Sequence, residues 1–467
     1  MIALYIFGVV HWLFFLDFGR FEFDYHDWGL AAHYLVGIRE GLLTGQLPLH
    51  LNPWLVTERF LANPELLLSP QVFLLFVIDL RQFLLVNTLI LYTAGFAGLV
   101  LLARRFNLSA ISFTLLFLIF NLNGHITAHL AAGHMMWLAY FLTPFLILLV
   151  FDAADRGVDR RWPALVALVL LAMLLQGAFH FVLWSLLLIA VLAITQPSLR
   201  RPAFLALFLT AALGAIRYLP ALVEFGNRDW TFVGGFRSAS EVLEALIVLK
   251  SPIEAVETRF HLPEYWEIDH YVGLLALGFL VVFGVAYWIR KANDESARPV
   301  RALAPAILVL TMLALDPILR VLMTLPIPLL FAERVTSRFF ILPLLFVLLF
   351  AAIALDRWLR NQRLGPGKWM LLSFGLLVIA LDLWQHSRLW RLTEARHAFE
   401  IVYPNLTVAI NNHADPVYLA ALAAGAAITV VALIYSGWLI LRRSGRAPVS
   451  AEAGAREIAR ESERDHG

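Results

Sequence analysis

The chain has 467 residues, 61% of them hydrophobic and only 15% charged, with 35 Phe, 14 Trp, no Cys and a formal net charge of +2. Apolar residues in such excess, gathered in long runs, exclude a water-soluble enzyme and any disordered or fibrous protein. The missing cysteines exclude disulfides, thiol catalysis and cysteine-ligated metals, and the small net charge gives no sign of a nucleic-acid partner. An all-α polytopic membrane protein remains. Crossing roughly 30 Å of hydrocarbon takes about 20 mostly apolar residues. In chain order, twelve stretches qualify as candidates: 2–16, 83–103, 108–122, 135–151, 163–176, 178–195, 202–217, 271–289, 302–316, 339–356, 369–386 and 416–441. The apolar run 163–195 is too long for one span, and Gln176-Gly177 with His180 marks the break. Residues 71–82 carry Asp79 and Arg81 and read as a re-entrant or interfacial piece.

Arginine and lysine orient these spans. With a cytoplasmic N-terminus, alternate connections hold Arg104-Arg105, Arg160-Arg161, Arg200-Arg201, Arg290-Lys291, Arg357 with Arg360, and Arg442-Arg443. All are short and basic. Long loops at 17–82, 218–270 and 387–415 fall on the opposite, extracytoplasmic side, and the first carries Asp17, Glu22, Asp24, Asp27, Glu40, Glu58 and Glu65. This pattern implies about twelve spans in a domain over 1–442, both termini cytoplasmic, in a cytoplasmic (inner) membrane. The tail 443–467 alternates Glu and Arg among small residues and reads as a solvated, partly disordered end.

Loops of this length without function are uncommon. In the first, Leu30, Tyr34, Leu35, Ile38 and Leu42 recur at helical spacing, with His33, Arg39 and Glu40 on other faces, as for a helix lying in the membrane interface. In the central loop, Ser238 and Glu241 form a capping-box signature before Val242 to Leu249. The cluster Asp24-Tyr25-His26-Asp27-Trp28 is either a solvated acidic loop or a source of a carboxylate base at the membrane surface. Arg217, Arg228, Arg237, Arg334 and Arg338 share that face, and Arg binds phosphate bidentately. Arg334 and Arg338, four residues apart beside Phe339 and Phe340, are expected on one helical turn with a phosphate or a buried acid such as Glu333 or Glu224 as partner. His125, His129 and His134 have helical spacing suited to a metal, yet the carboxylates that complete such sites are missing nearby in the sequence, so no metal is expected.

The segment Gly45-Gln-Leu-Pro-Leu-His-Leu-Asn52-Pro53-Trp54, with Leu61-Ala-Asn63 and Ser69-Pro70, resembles the first outer loop of YfhO-like bacterial membrane proteins. Tyr218-Leu-Pro220 with Glu224 and Arg228, Asp269-His-Tyr271-Val-Gly273 and Arg334-Val-Thr-Ser-Arg338-Phe resemble later blocks of that family. His50-Leu51 and Thr57-Glu-Arg59-Phe depart from its pattern. The family is similar to GT-C glycosyltransferases, polytopic enzymes that move a sugar from a polyprenyl-phosphate carrier to an acceptor outside the cytoplasm. The resemblance implies a GT-C-like fold with interfacial helices in the first and central outer loops. It implies Asp27 or Asp24 as the catalytic base, Arg334, Arg338 and Arg228 as donor-phosphate ligands, and Asn52, His134 and Tyr271 as pocket residues. It also implies membrane lipids and an envelope glycan, lipid or protein acceptor as partners, and no cofactor beyond the lipid-linked donor. Two other classes fit the span pattern: a twelve-span transporter or lipid flippase, which needs a central two-sided cavity, and a non-catalytic membrane subunit of an envelope polysaccharide assembly.

Overall fold

The computed structural model describes residues 1–226, 234–257, 264–322, 333–362, 365–402, 404 and 406–442. The tail 443–467 and Arg228 lie outside them. Helices α1 (Ile2–Phe15) and α2 (Trp28–Thr44) precede a long α3 (Leu80–Phe106). Next come α4 (Ala110–Leu122), α5 (Gly124–Ala131), α6 (Thr143–Arg156), α7 (Trp162–Leu175), α8 (Phe179–Thr195) and α9 (Arg200–Leu213). The middle of the chain forms α10 (Ala215–Phe225), α11 (Ala239–Ile247), α12 (Pro252–Glu257), α13 (Tyr265–Ile268), α14 (Leu274–Phe279) and α15 (Tyr287–Arg290). Finally α16 (Arg298–Leu313), α17 (Asp316–Leu322), α18 (Ile341–Asn361), α19 (Pro366–Leu389), α20 (Leu392–Ala398) and α21 (Pro416–Leu441) complete the helical set. Strands β1 (Leu51–Asn52) and β2 (Ala409–Ile410) pair antiparallel and tie the first outer loop to the third.

Among the described residues, seven helical stretches are long and apolar enough to cross a membrane: Leu80–Phe106, Ala110–Ala131, Met135–Arg156, Glu295–Leu313, Thr336–Asn361, Pro366–Leu389 and Pro416–Leu441. Helices α8 and α9 qualify as a pair bent by 119°. Shorter apolar helices cover Ile2–Phe15, Trp162–Leu175 and Leu274–Arg290. The chain is therefore an all-α, multi-pass membrane protein. The segments 110–131 and 336–361 are mostly buried in the protein, whereas α19 and α21 are mostly exposed. Val430, Val431 and Ile434 on α21 retain 53%, 66% and 69% exposure; a helix that stays apolar on its outer face needs lipid as its solvent.

Local chemistry sets the boundaries. The side chains of Asp79, Ser109, Asn123 and Asp415 accept the first free N–H groups of α3, α4, α5 and α21, which satisfies donors that a helix start leaves open. Asp79 thus caps a span, and the 71–82 piece holds a 3-10 helix (Pro70–Phe76) with Phe73, Phe76 and Val77 exposed. The break between α7 and α8 falls at Gly177, whose φ of +82° suits glycine and whose α-carbon packs on the Glu65 carbonyl so closely that a Cβ would lie 2.2 Å from it.

Two expectations about outer-loop helices change. Helix α2 forms where the spacing predicts it, but Trp28, Ala32, His33, Tyr34, Leu35 and Ile38 are all buried. It is a core helix, because the first and third long loops fold over the face read as polar. In α11, Ser238 accepts from the Glu241 N–H at 3.3 Å, while the Glu241 carboxylate takes the Arg237 N–H at 2.5 Å instead of closing back on Ser238.

Candidate functional site

The turn after α1 brings the acidic cluster onto the end of α5. His26, at φ +43°, directs Nδ1 to the Ala132 carbonyl at 2.7 Å, and the Asp27 N–H donates to the same oxygen at 3.3 Å. Gly133, at φ +99°, makes this approach possible: a Cβ there would lie 2.3 Å from the Trp28 nitrogen. Asp27 Oδ2 then meets His134 Nε2 at 3.0 Å. The Asp27 side chain keeps 48% exposure against 16% for Asp24. Burial alone would raise the Asp27 carboxyl, but His134, with His26 behind it, reverses this and holds it below the ordinary carboxylate range. Asp27 is thus a half-exposed carboxylate whose surroundings favour its charged form.

Asp24 has a different employment. Arg396 of α20 grips both of its oxygens, at 2.7 and 2.5 Å, and this pair holds the Asp24 carboxyl below its ordinary value. Backbone bonds from His26 N to Glu400 O and from Val402 N to Asp24 O run alongside. Asp24 clips the first outer loop to the third.

Behind Asp27 lies a buried polar chain. His129 stacks on Trp137 with ring centres 4.5 Å apart, donates Nδ1–H to the His125 carbonyl at 2.8 Å and turns Nε2 to Glu267 Oε2 at 3.2 Å. Glu267 receives the planar fork of Arg338 at 2.7 and 2.6 Å. The same guanidinium lies 3.5 Å from Glu333, 3.3 Å from His180 Nε2 and 4.8 Å over Trp137. Arginine only donates, so His180 accepts at Nε2 and donates Nδ1–H to Glu333 at 2.7 Å. Trp184 supplies a second donor to that carboxylate at 2.9 Å. Burial would raise both glutamates; Arg338 at Glu267 and His180 with Arg338 at Glu333 hold them below the ordinary range.

This arrangement revises the phosphate clamp. Arg334 and Arg338 do not share a helical turn: Val335 is extended, pairs with Gly234, and separates an exposed Arg334 from a buried Arg338. The fork of Arg338 is occupied by Glu267. Of the expected pocket residues, His134 stands beside Asp27. Asn52 belongs elsewhere, exposed on β1 opposite Ala409 while Leu51 beside it is buried, next to a separate cluster in which Arg59 bridges Asp415 at 2.7 Å and Glu224 at 3.1 Å. Tyr271 belongs to a third group, donating to Asp382 at 2.7 Å and stacking 4.7 Å from His386, which contacts Asp269 at 3.0 Å. Arg217 gives its guanidinium to the Asn63, Pro64 and Leu66 carbonyls and pins the first outer loop.

Sequence reasoning missed Glu267, the partner that organises the histidines. It sits 138 residues from His129, and no spacing rule reaches that far. One ligating atom from each of His129, His134 and Glu267 falls within 4.8 Å of the others, so the carboxylate missing from the local sequence arrives from the central outer loop. Comparison with protein-family models, curated proteins and solved structures yields no match.

Proposed function

We propose that this chain is a GT-C-like glycosyltransferase with about twelve spans in a cytoplasmic membrane, acting on the extracytoplasmic side with both termini inside. In this reading a sugar passes from a polyprenyl-phosphate carrier to an envelope acceptor. One observation carries it: Asp27, at the start of α2 and packed against the end of α5, is a half-exposed carboxylate held below the ordinary carboxylate range and backed by His134 at 3.0 Å. A base must be ionised, reachable and held in place. Asp27 accepts the proton of the acceptor hydroxyl as that oxygen bonds to the anomeric carbon; the sugar–phosphate C–O bond breaks and the carrier phosphate departs with the electron pair. An apolar hollow of about 350 Å3, lined by Ile38, Leu42, Leu47, Phe60 and Leu68, begins about 16 Å along α2 from Asp27 and suits an isoprenoid chain. With Arg338 committed to Glu267, the phosphate in this reading falls to Arg334 and Arg228, the other two arginines that the resemblance implies.

The test is transfer activity in membranes after identifying, by gene deletion, which polyprenyl-linked sugar or envelope glycan changes. Asp27→Asn keeps the size of the side chain and removes the proton acceptor, so turnover falls about a hundredfold or more while the protein still folds. Near-wild-type turnover in that variant sinks the proposal.

A further inference from the structure

The proton inventory of the buried histidines points to a ligand. His129 Nδ1 faces the His125 carbonyl at 2.8 Å, and a carbonyl only accepts, so Nδ1 carries a proton. The neutral ring then presents a bare lone pair at Nε2, yet Nε2 faces a carboxylate oxygen 3.2 Å away. Two acceptors at that separation need a cation between them. His134 repeats the pattern: Nε2 faces Asp27 Oδ2 at 3.0 Å and therefore carries the proton, which leaves Nδ1 as a lone pair, buried and without a hydrogen-bond partner among the described residues. Histidines that ligate a metal hold their other N–H against a carbonyl or carboxylate in this way.

We propose that His129 Nε2, His134 Nδ1 and Glu267 Oε2 bind one divalent transition metal of the zinc class, with an open fourth position. The 3.2 Å separation of His129 and Glu267 matches two ligands of a single ion with bonds of about 2.0–2.1 Å, and a ring nitrogen of His134 lies within 4.8 Å of ligating atoms of both. Two imidazoles and one carboxylate are the ligand set that favours Zn2+ or Co2+ over Mg2+ or Ca2+. Asp27 orients His134 from outside the ligand set, and Arg338 does the same for Glu267. The site stands on geometry and proton count alone and does not depend on the transfer reaction.

Cobalt supplies the probe. Full-length protein in detergent, free of any histidine tag and stripped with chelator, is titrated with Co2+ and followed by its visible d–d absorption, then challenged with Zn2+. The wild type takes up one equivalent that Zn2+ displaces. His134→Ala, beside the half-exposed Asp27, weakens uptake by about a hundredfold or more, as do His129→Ala and Glu267→Gln where they fold. Should the two deeper variants aggregate, His134→Ala decides alone. Wild-type protein that takes up no stoichiometric Co2+ or Zn2+, or a folded His134→Ala that binds as tightly as wild type, overturns the site; the cation between His129 and Glu267 is then a second proton on the imidazole. Neither measurement uses a sugar donor, so loss of metal uptake and loss of transfer are distinguishable results.

Discussion

Gly133 shows what one missing methyl group does here. Its φ of +99° is disfavoured for any L side chain, and the Asp27 and Trp28 backbone rests directly on its α-carbon. Gly133→Ala is expected to cost about 1–3 kcal/mol through strain and to push the Asp27 turn off α5. A lower melting temperature in detergent checks the first part; loss of Asp27-dependent transfer beyond the loss of folded protein checks the second. At Arg338 the balance is different. A guanidinium 7% exposed holds two buried glutamates, and removing one member of a buried pair leaves the other charged and unpartnered. Arg338→Ala should cost about 3–5 kcal/mol. Arg338→Lys keeps the charge but loses the bidentate fork, so its melting temperature falls between alanine and wild type while donor affinity of the surviving protein is unchanged. A selective loss of donor affinity would return Arg338 to the phosphate clamp.

Between the elements, the long loops share apolar packing, with Tyr25 and Trp266 against Phe399, and are held further by clips. The bridge Tyr25–Ile401, the β1–β2 pair and the Asp24–Arg396 fork lash the first loop to the third. The Asp24–Arg396 clip has a pH signature. Its carboxyl lies below its ordinary value of 3.8 in the folded protein, so the contribution is full above 3.8 and is lost as pH falls through the lower folded value. The stability gap between wild type and Asp24→Asn should accordingly be constant above pH 3.8 and close below it, read as thermal midpoints across pH. A gap that persists at low pH would mean that the fork is not what Asp24 contributes. Helix α2 illustrates the limit of reading an element alone. Its periodicity announces a helix, but the burial of residues such as His33, Tyr34 and Ile38 depends on chain that closes over it, with Phe60 against Gly37 and Val402 against Gly29.

At the scale of the molecule, the alternation of short basic and long acidic connections predicts that residues 17–82, 218–270 and 387–415 share one side of the membrane. The structure brings these loops together in space, with Arg59 of the first joined to Glu224 and Asp415. Glu58, Ser240 and Glu400 are exposed, and in this cysteine-free chain a single cysteine at each should react with a membrane-impermeant maleimide in intact cells. Labelling only after lysis would invert the orientation.

The membrane class, the helical nature of each apolar stretch, the break at Gly177 and the acidic turn at Asp27 all follow from local sequence. Hydropathy, glycine stereochemistry and capping act within a few residues, so a single segment is enough to express them. Partnership is another matter. Asp24 and Asp27 lie three residues apart in the same acidic turn, and only the fold gives one to Arg396 and leaves the other half-exposed beside His134. Glu267 is anonymous in the sequence, and Arg338 lacks this partner there, until α13 is laid against α5 and the start of α18. The energy of a buried charge depends on every group within a few ångströms in a low-dielectric interior, and those neighbours arrive from distant parts of the chain.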